Sequence, residues 1–287
     1  MRSVVVTGVS SGVGWGVAKV LIAHGFRVFG SVRKQLDADR LAAQLGANFV
    51  PLSFDITNEA AVHAAAQQVR AALGGRTLAG LVNNAGIAVA GVFFDLTPED
   101  YRRQFEVNFI GQVIATQAFL PLLGTDRSLK GAPGRIVMIS SVGGQNASPF
   151  MSPYNASKFA LEGLAESLRR ELMPFGVDVI IVGPGAVRTR IWANAAMADS
   201  SRYHNSPYGK ALDIARAFMQ KMGTYGVTPE SVGELVHHVL TAHRPRVRYA
   251  IVPNRRRYYI ARMLPKRLVD RIYAKRLGFK RREAASE

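Results

Sequence analysis

Apolar and polar residues alternate along this chain in blocks of two kinds. Short Val/Ile/Leu-rich runs occupy residues 3–7, 27–32, 48–53, 80–82, 134–140 and 177–182. They are apolar at nearly every position rather than every second one, which predicts strands covered on both faces, as in a parallel sheet. Between them, apolar residues at helical spacing predict helices over 13–23, 37–45, 58–73, 98–123 and 153–174. The start signals agree: Asp37 opens the second, Thr57 precedes the third, and Thr97 with Pro98 opens the fourth. A further helix is expected over 229–242 and a last strand over 247–252. Such alternation implies right-handed crossovers and an α/β fold, a doubly wound parallel sheet of about seven strands with helices on both faces. Residues 1–254 form one domain on this reading, followed by a tail at 255–287. In such a sheet, ligands bind beyond the carboxyl ends of the strands, where strand order reverses.

Composition narrows the chemistry. Hydrophobic residues at 48% and charged residues at 20% describe a globular chain. Without cysteine there is no disulfide, thiolate catalysis or cysteine-built zinc site. The six histidines show no HxxxH or similar ligand spacing, so no metal site is expected. No apolar stretch approaches the roughly 20 residues of a spanning helix, and no signal segment is visible, so a cytoplasmic protein is expected. The net charge of +17 is lopsided: residues 1–243 carry +5 and residues 244–287 carry +12.

After the first strand comes Thr7-Gly8-Val9-Ser10-Ser11-Gly12-Val13-Gly14. Glycines there permit a tight turn and let backbone N–H groups approach a pyrophosphate at a helix N-terminus. A ligand-free glycine-rich turn fits equally well. Residues 8–12 also match GxSxG, the nucleophile elbow of serine hydrolases, but too little chain precedes Gly8 to supply the upstream oxyanion loop. Further on, Ser140-Ser141 closes a strand and Tyr154-Asn155-Ala156-Ser157-Lys158 opens a helix. A Tyr–Lys pair four residues apart is ordinarily a solvated helix contact. Here it lies near the carboxyl edge of the sheet, 13 residues after Ser141.

Taken in order, TGVSSGVG, Asn83-Asn84-Ala85-Gly86, Asn108, Ser141, Tyr154 with Lys158, and Pro184-Gly185-Ala186-Val187-Arg188-Thr189 resemble the short-chain dehydrogenase/reductase family in its compact form. The resemblance spans residues 3–190. Ser141–Gly144 and Ala156–Gly163 look most like hydroxysteroid and retinol dehydrogenases. It implies a Rossmann-type domain passing a hydride between a nicotinamide and an alcohol or carbonyl carbon, usually as a homodimer or homotetramer. Tyr154 would be the acid/base, its high intrinsic pKa lowered by the Lys158 ammonium. Lys158 would also bond the nicotinamide ribose, Ser141 would hold the substrate oxygen, and Asn108 would fix a water relaying protons to Lys158. Gly8, Ser10, Ser11, Gly12, Val13 and Gly14 would line the phosphates, Asp55 the adenine amine, and Asn84, Ala85 and Gly86 the adenosine side. Pro184, Gly185, Val187 and Thr189 would meet the nicotinamide end. A non-catalytic NADP-sensing protein of the same fold is the alternative, but it has no need of the Ser141–Tyr154–Lys158 set.

The second strand ends in Ser31-Val32-Arg33-Lys34, where an NAD enzyme generally places a carboxylate against the ribose 2′-OH. A guanidinium attracts a 2′-phosphate instead, which favours NADP(H) over NAD(H). Residues 190–228 scatter Ile191, Trp192, Met197, Tyr203, Tyr208, Phe218, Met219, Met222 and Tyr225 among Gly, Ser and Asn, which suits an adaptable apolar lid over the substrate. Residues 255–282 hold 12 Lys/Arg against Asp270 alone. Pro265 and Gly278 bracket a helix there, on which Leu268, Val269, Ile272 and Leu277 can share an apolar face. The tail reads as a helix packed on the body, a peripheral contact with anionic membranes or, last, a nucleic-acid patch; no recognition fold for nucleic acid is present.

Overall fold

The computed structural model describes residues 1–189, 191, 203, 205–206 and 208–279. Seven strands form one sheet in the order β3-β2-β1-β4-β5-β6-β7, and every neighbouring pair is parallel. They are β1 (Ser3–Val6), β2 (Arg27–Val32), β3 (Phe49–Ser53), β4 (Gly80–Asn83), β5 (Arg135–Ile139), β6 (Asp178–Pro184) and β7 (Arg248–Ile251). The helices are α1 (Gly12–Ala23), α2 (Gln35–Leu45), α3 (Glu59–Leu73), α4 (Pro98–Phe105), α5 (Gly111–Phe119), α6 (Ser152–Glu171), α7 (Gly209–Tyr225), α8 (Pro229–Thr241), α9 (Arg255–Met263) and α10 (Lys266–Leu277).

The central strands are apolar along nearly their whole length because each feeds two cores. Val5, Phe29, Leu81, Ile136 and Met138 join the layer under α3, α5 and α6. Their alternating neighbours Val4, Val6, Val28, Val82, Val137 and Ile139 join the layer under α1, α2 and α8. Fully burying a side chain of this size contributes about 1.5–3 kcal/mol, so a run such as Val4–Val5–Val6 has no solvent-facing position to give away.

The expected helix over 98–123 is interrupted. Its start holds, with Thr97 and Asp100 forming a reciprocal capping box ahead of Pro98. A wide π-type turn at Glu106–Ile110 then separates α4 from α5, and a 3-10 turn at Leu120–Leu123 replaces the last part. Residues 190–228, expected as an apolar lid outside the strand–helix rhythm of the sheet, contain the 17-residue α7. In the tail, Pro265 and Gly278 do bracket a helix, α10, but α9 precedes it. Leu268 and Ile272 are exposed rather than inward, and Leu277 alone of that expected face is buried. Of the sequence-based assignments, Trp192, Met197 and residues 280–287 lie outside the described residues.

Candidate active site

Strand order reverses between β1 and β4, and two loops meet beyond their ends. Thr7 ties them together: its hydroxyl oxygen accepts the Asn84 and Ala85 N–H groups at 2.9 and 3.0 Å. In return, the Asn84 amide donates to the Thr7 and Gly8 carbonyls at 2.8 and 3.1 Å. Asn84 is therefore committed to holding the loops in place. Gly8 (φ 72°) and Gly12 (φ 59°) occupy left-handed backbone. A Cβ at Gly14 would lie 2.2 Å from the Gly8 carbonyl oxygen, so only glycine fits there. Unlike α3, α4 and α8, helix α1 begins without a side-chain cap and without an acid in its first turn. Its leading N–H groups are thus free to meet an anion, with Ser10, Ser11 and Val13 around them.

At the ends of β2 and β3, Arg33 Nη1 lies 3.7 Å from Asp55 Oδ2. Burial works to raise the Asp55 carboxyl, but bonds from the Thr57 amide and hydroxyl, with help from Arg33, outweigh it and hold the pKa below the usual range. The residue missed here is Arg40, which donates to the Ser10 carbonyl and to Asp37, both at 2.8 Å. It places a second guanidinium against the glycine-rich loop. No local sequence signal marks this contact, because Arg40 and Ser10 lie 30 residues apart.

At the ends of β5 and β6, Ser141 Oγ accepts the Gly143 N–H at 3.0 Å, donates to the Pro184 carbonyl at 3.4 Å and bonds Tyr154. Lys158 Nζ donates to the Ile139 carbonyl at 2.9 Å and lies 5.9 Å from the Tyr154 ring centre. Burial pushes the Tyr154 phenol above its ordinary pKa, and the bond with Ser141 offsets this only in part. The expected lowering by Lys158 is not the balance found. Burial also brings Lys158 down to about 8, against an upward pull from Glu162.

Asn108 sits in the π-type turn and is fully buried. Its carbonyl accepts the Ile87 N–H at 2.8 Å, and its amide donates to the Ile87 carbonyl at 3.1 Å and the Ser157 hydroxyl at 3.2 Å. A Cβ at Gly86 would come within 3.1 Å of that Asn108 oxygen. Asn108 thus joins the β4 loop to α6, one residue before Lys158. Wide turns of this kind recur at functional sites.

A cavity of about 260 Å³ opens over Ser141 and Tyr154. Gly185, Phe218 and Met219 line it as expected of β6 and the lid. Tyr258, Arg262, Tyr273 and Arg276 complete its wall, so the tail helices close the cavity. Phe150, also in the wall, holds φ at 64°, a strained value for a bulky residue. Val187 instead turns its side chain into the core, and Thr189 is set against the glycine-rich loop.

Sequence reading also missed the support beneath Ser141. Arg248 of β7 pairs with Glu162 of α6 and donates to the Ser141 carbonyl at 3.3 Å and to the Tyr258 hydroxyl at 3.2 Å. The spacing of Tyr154, Lys158 and Glu162, each four residues apart on one helix, was the available signal.

One cluster of possible metal ligands is found among the described residues, His24, Glu234 and His237. The two rings stack at 3.8 Å with 6° between their planes. Their in-plane lone pairs run parallel and do not converge on one ion, so this is a contact between α1 and α8.

A model of the family described as short chain dehydrogenase matches residues 2–199. The chain belongs to this family. Among its short-chain dehydrogenase relatives, the NADPH-dependent 3-dehydrocapnine reductase of Ornithobacterium rhinotracheale is 36% identical over 278 residues, 96% of this chain and 98% of that one. Retinol dehydrogenase 5 of Mus musculus is 34% identical across 93% of this chain and 86% of its own. A short-chain dehydrogenase structure from Streptomyces avermitilis matches with a TM-score of 0.76 at 28% identity, covering 96% of this chain and 94% of that one. As a short-chain dehydrogenase the protein is an oxidoreductase with a Rossmann-type fold.

Proposed function

We propose that this oxidoreductase uses NADP(H) to interconvert a carbonyl and an alcohol on a hydrophobic small molecule, with Tyr154 as the acid/base. The observation that carries the reading is the bonded Ser141–Tyr154 pair at the floor of a cavity walled largely by apolar side chains. A sensing protein of the same fold would have no need of such a cavity.

The residues present fit a dinucleotide. Thr189 Oγ1 is buried without a hydrogen-bond partner among the described residues, and its methyl carbon would lie 3.2 Å from any Cβ added at Gly12. An unsatisfied hydroxyl facing a loop that must stay glycine suits the polar end of such a ligand. Gly8–Gly14 with the uncapped start of α1 would hold the pyrophosphate, Arg33 and Arg40 the 2′-phosphate, and Asp55 and residues 84–86 the adenosine. Pro184, Gly185, Val187 and Thr189 would flank the nicotinamide, Val187 through its backbone. When bound, the nicotinamide supplies or accepts the hydride.

The chain's own groups do the rest. The Ser141 hydroxyl donates to the substrate oxygen as negative charge develops there. The Tyr154 phenol, kept protonated by burial, donates a proton to that oxygen during reduction and takes it back during oxidation. Lys158 places positive charge beside the phenolate left behind and holds the ribose. Asn108 positions α6 through Ser157, and a water bridging it to Lys158 would pass the proton outward. The NADPH-dependent relative, similar over nearly its whole length, supports this coenzyme and the reducing direction. The test is a screen of hydrophobic ketones and alcohols by absorbance of the reduced nicotinamide, run with both coenzymes. A clear turnover with NADPH is expected; activity confined to NADH would overturn the coenzyme assignment.

A peripheral contact with anionic membranes is also supported. Tyr259, Ile260, Met263, Leu268 and Ile272 are exposed on α9 and α10 among their cations. No described helix is long and apolar enough to cross a membrane. Basic charge with exposed apolar side chains suits an interfacial helix.

A further inference from the structure

Helices α9 and α10 carry nine Lys/Arg, yet only Arg262 and Arg276 line the cavity that holds Ser141 and Tyr154. No Asp or Glu lines that cavity, and among the described residues neither guanidinium makes an ion pair. Aromatic faces hold both in place. Arg276 lies 4.5 Å from the Phe218 ring centre, and Arg262 lies 5.9 Å from that of Tyr258. Stacking of this kind restrains the guanidinium plane while leaving its N–H edge available. Tyr273 lines the same cavity, and burial raises its phenol above the ordinary range despite Arg276, so it stays protonated and able to donate.

A cavity with largely apolar walls, Ser141 and Tyr154 in its lining and two exposed guanidinium groups in the same wall discriminates by charge. Both Arg residues are exposed enough to keep their hydration while the cavity is empty, so the site carries no uncompensated buried charge. A neutral substrate would leave them solvated. A substrate with an oxyanion would gain charge-assisted, two-point bonds.

We propose that Arg262 and Arg276 form an oxyanion subsite, so that the preferred substrates are amphiphiles carrying a carboxylate, sulfonate or phosphate beside the apolar body that bears the carbonyl. This rests on the carbonyl–alcohol reading above and names the substrate class within it.

The test has a kinetic arm and a binding arm. In the first, long-chain oxo-carboxylates and oxo-sulfonates are compared with their methyl esters as substrates, using NADPH and the full chain. Wild type is expected to favour the anion about tenfold or more in kcat/KM, the size of a charged hydrogen bond. The R262Q/R276Q double variant should bring that ratio close to one, and added salt should lower it in the wild type. An R267Q/R271Q variant, with equal loss of charge on tail positions outside the cavity, should keep the ratio. In the second arm, decanoate and decanamide are titrated calorimetrically into the NADP⁺-saturated protein, which reads charge preference without turnover. Loss of decanoate preference in R262Q/R276Q supports the subsite even if no ketone is reduced, in which case the catalytic reading fails instead. Equal use of anionic and neutral substrates by wild type overturns the subsite and leaves the catalytic reading standing. A preference that survives in the double variant overturns the assignment to these two residues.

Discussion

Arg248 and Glu162 meet in a two-point ion pair, Nε to Oε2 at 2.9 Å and Nη2 to Oε1 at 3.1 Å, with each side chain only 14% exposed. The same guanidinium reaches the Ser141 carbonyl and the Tyr258 hydroxyl, while Glu162 exerts an upward pull on Lys158. One pair therefore supports the Ser141 loop, Lys158 and a wall of the adjoining cavity.

Glu162→Gln should strand the Arg248 charge. Removing one partner of a buried pair costs about 3 kcal/mol, which denaturant unfolding would register. It also removes the upward pull on Lys158. The basic limb of the kcat/KM profile, where Lys158 loses its proton, should then move to lower pH. An unmoved limb would mean that Glu162 acts only on folding.

Tyr154→Phe removes one oxygen that matters mainly when a proton moves. A kcat loss of about 10²–10⁴-fold is expected with NADP(H) affinity nearly intact, checked by turnover and fluorescence titration. Retention of most of the wild-type kcat would exclude Tyr154 as the acid/base.

Lys158 titrates near about 8 in the folded chain against 10.5 as an ordinary lysine. Between those values the unfolded chain binds the extra proton, so this group's contribution to stability rises with pH through that window and is unfavourable below it. Such a displacement corresponds to roughly 3 kcal/mol. Lys158→Met should therefore leave the coenzyme-free protein at least as stable as wild type at pH 7, with the advantage shrinking toward pH 10, while abolishing turnover. Thermal unfolding across that range checks the sign.

Arg33→Asp should weaken NADPH strongly and NADH little, because it sets repulsion against the 2′-phosphate. Arg40→Gln should do the same more mildly. Coenzyme titrations on both variants test this, and an unchanged preference in both would move the determinant to Lys34.

Ile260→Ser with Met263→Ser should reduce binding to anionic vesicles while leaving thermal stability unchanged, since both side chains are exposed. Point variants are the right instrument. Deleting the tail would also remove the cavity wall. Binding to vesicles at wild-type strength would sink the membrane contact.

The parallel, doubly covered sheet and the strand-end positions of Ser141, Tyr154 and Lys158 were legible because strand burial and strand-end motifs are local. Continuous apolar runs such as Val4–Val6 announce a strand buried on both faces, and Thr97-Pro98 announces a helix start. The break at Asn108 was not legible, since it depends on Ile87 and Ser157, which only the fold brings near. The same holds for Arg248, whose partners Glu162 and Ser141 lie 86 and 107 residues away. At Tyr154 the spacing reports the neighbouring Lys158 but not the depth of burial, which raises the phenol. The tail was read by its charge, which is real, while its inward side, marked by Tyr258, Tyr273 and Leu277, is set by contact with the cavity.

The closing of the cavity by α9 and α10 means that the site takes part of its wall from the far end of the sequence. Gly8, Ser141 and Tyr154 lie in the first 154 residues, whereas Tyr258, Arg262 and Arg276 come from the last 30 described residues. A substitution that loosens α9 or α10 should therefore open the cavity over Tyr154 while leaving the glycine-rich loop as it is.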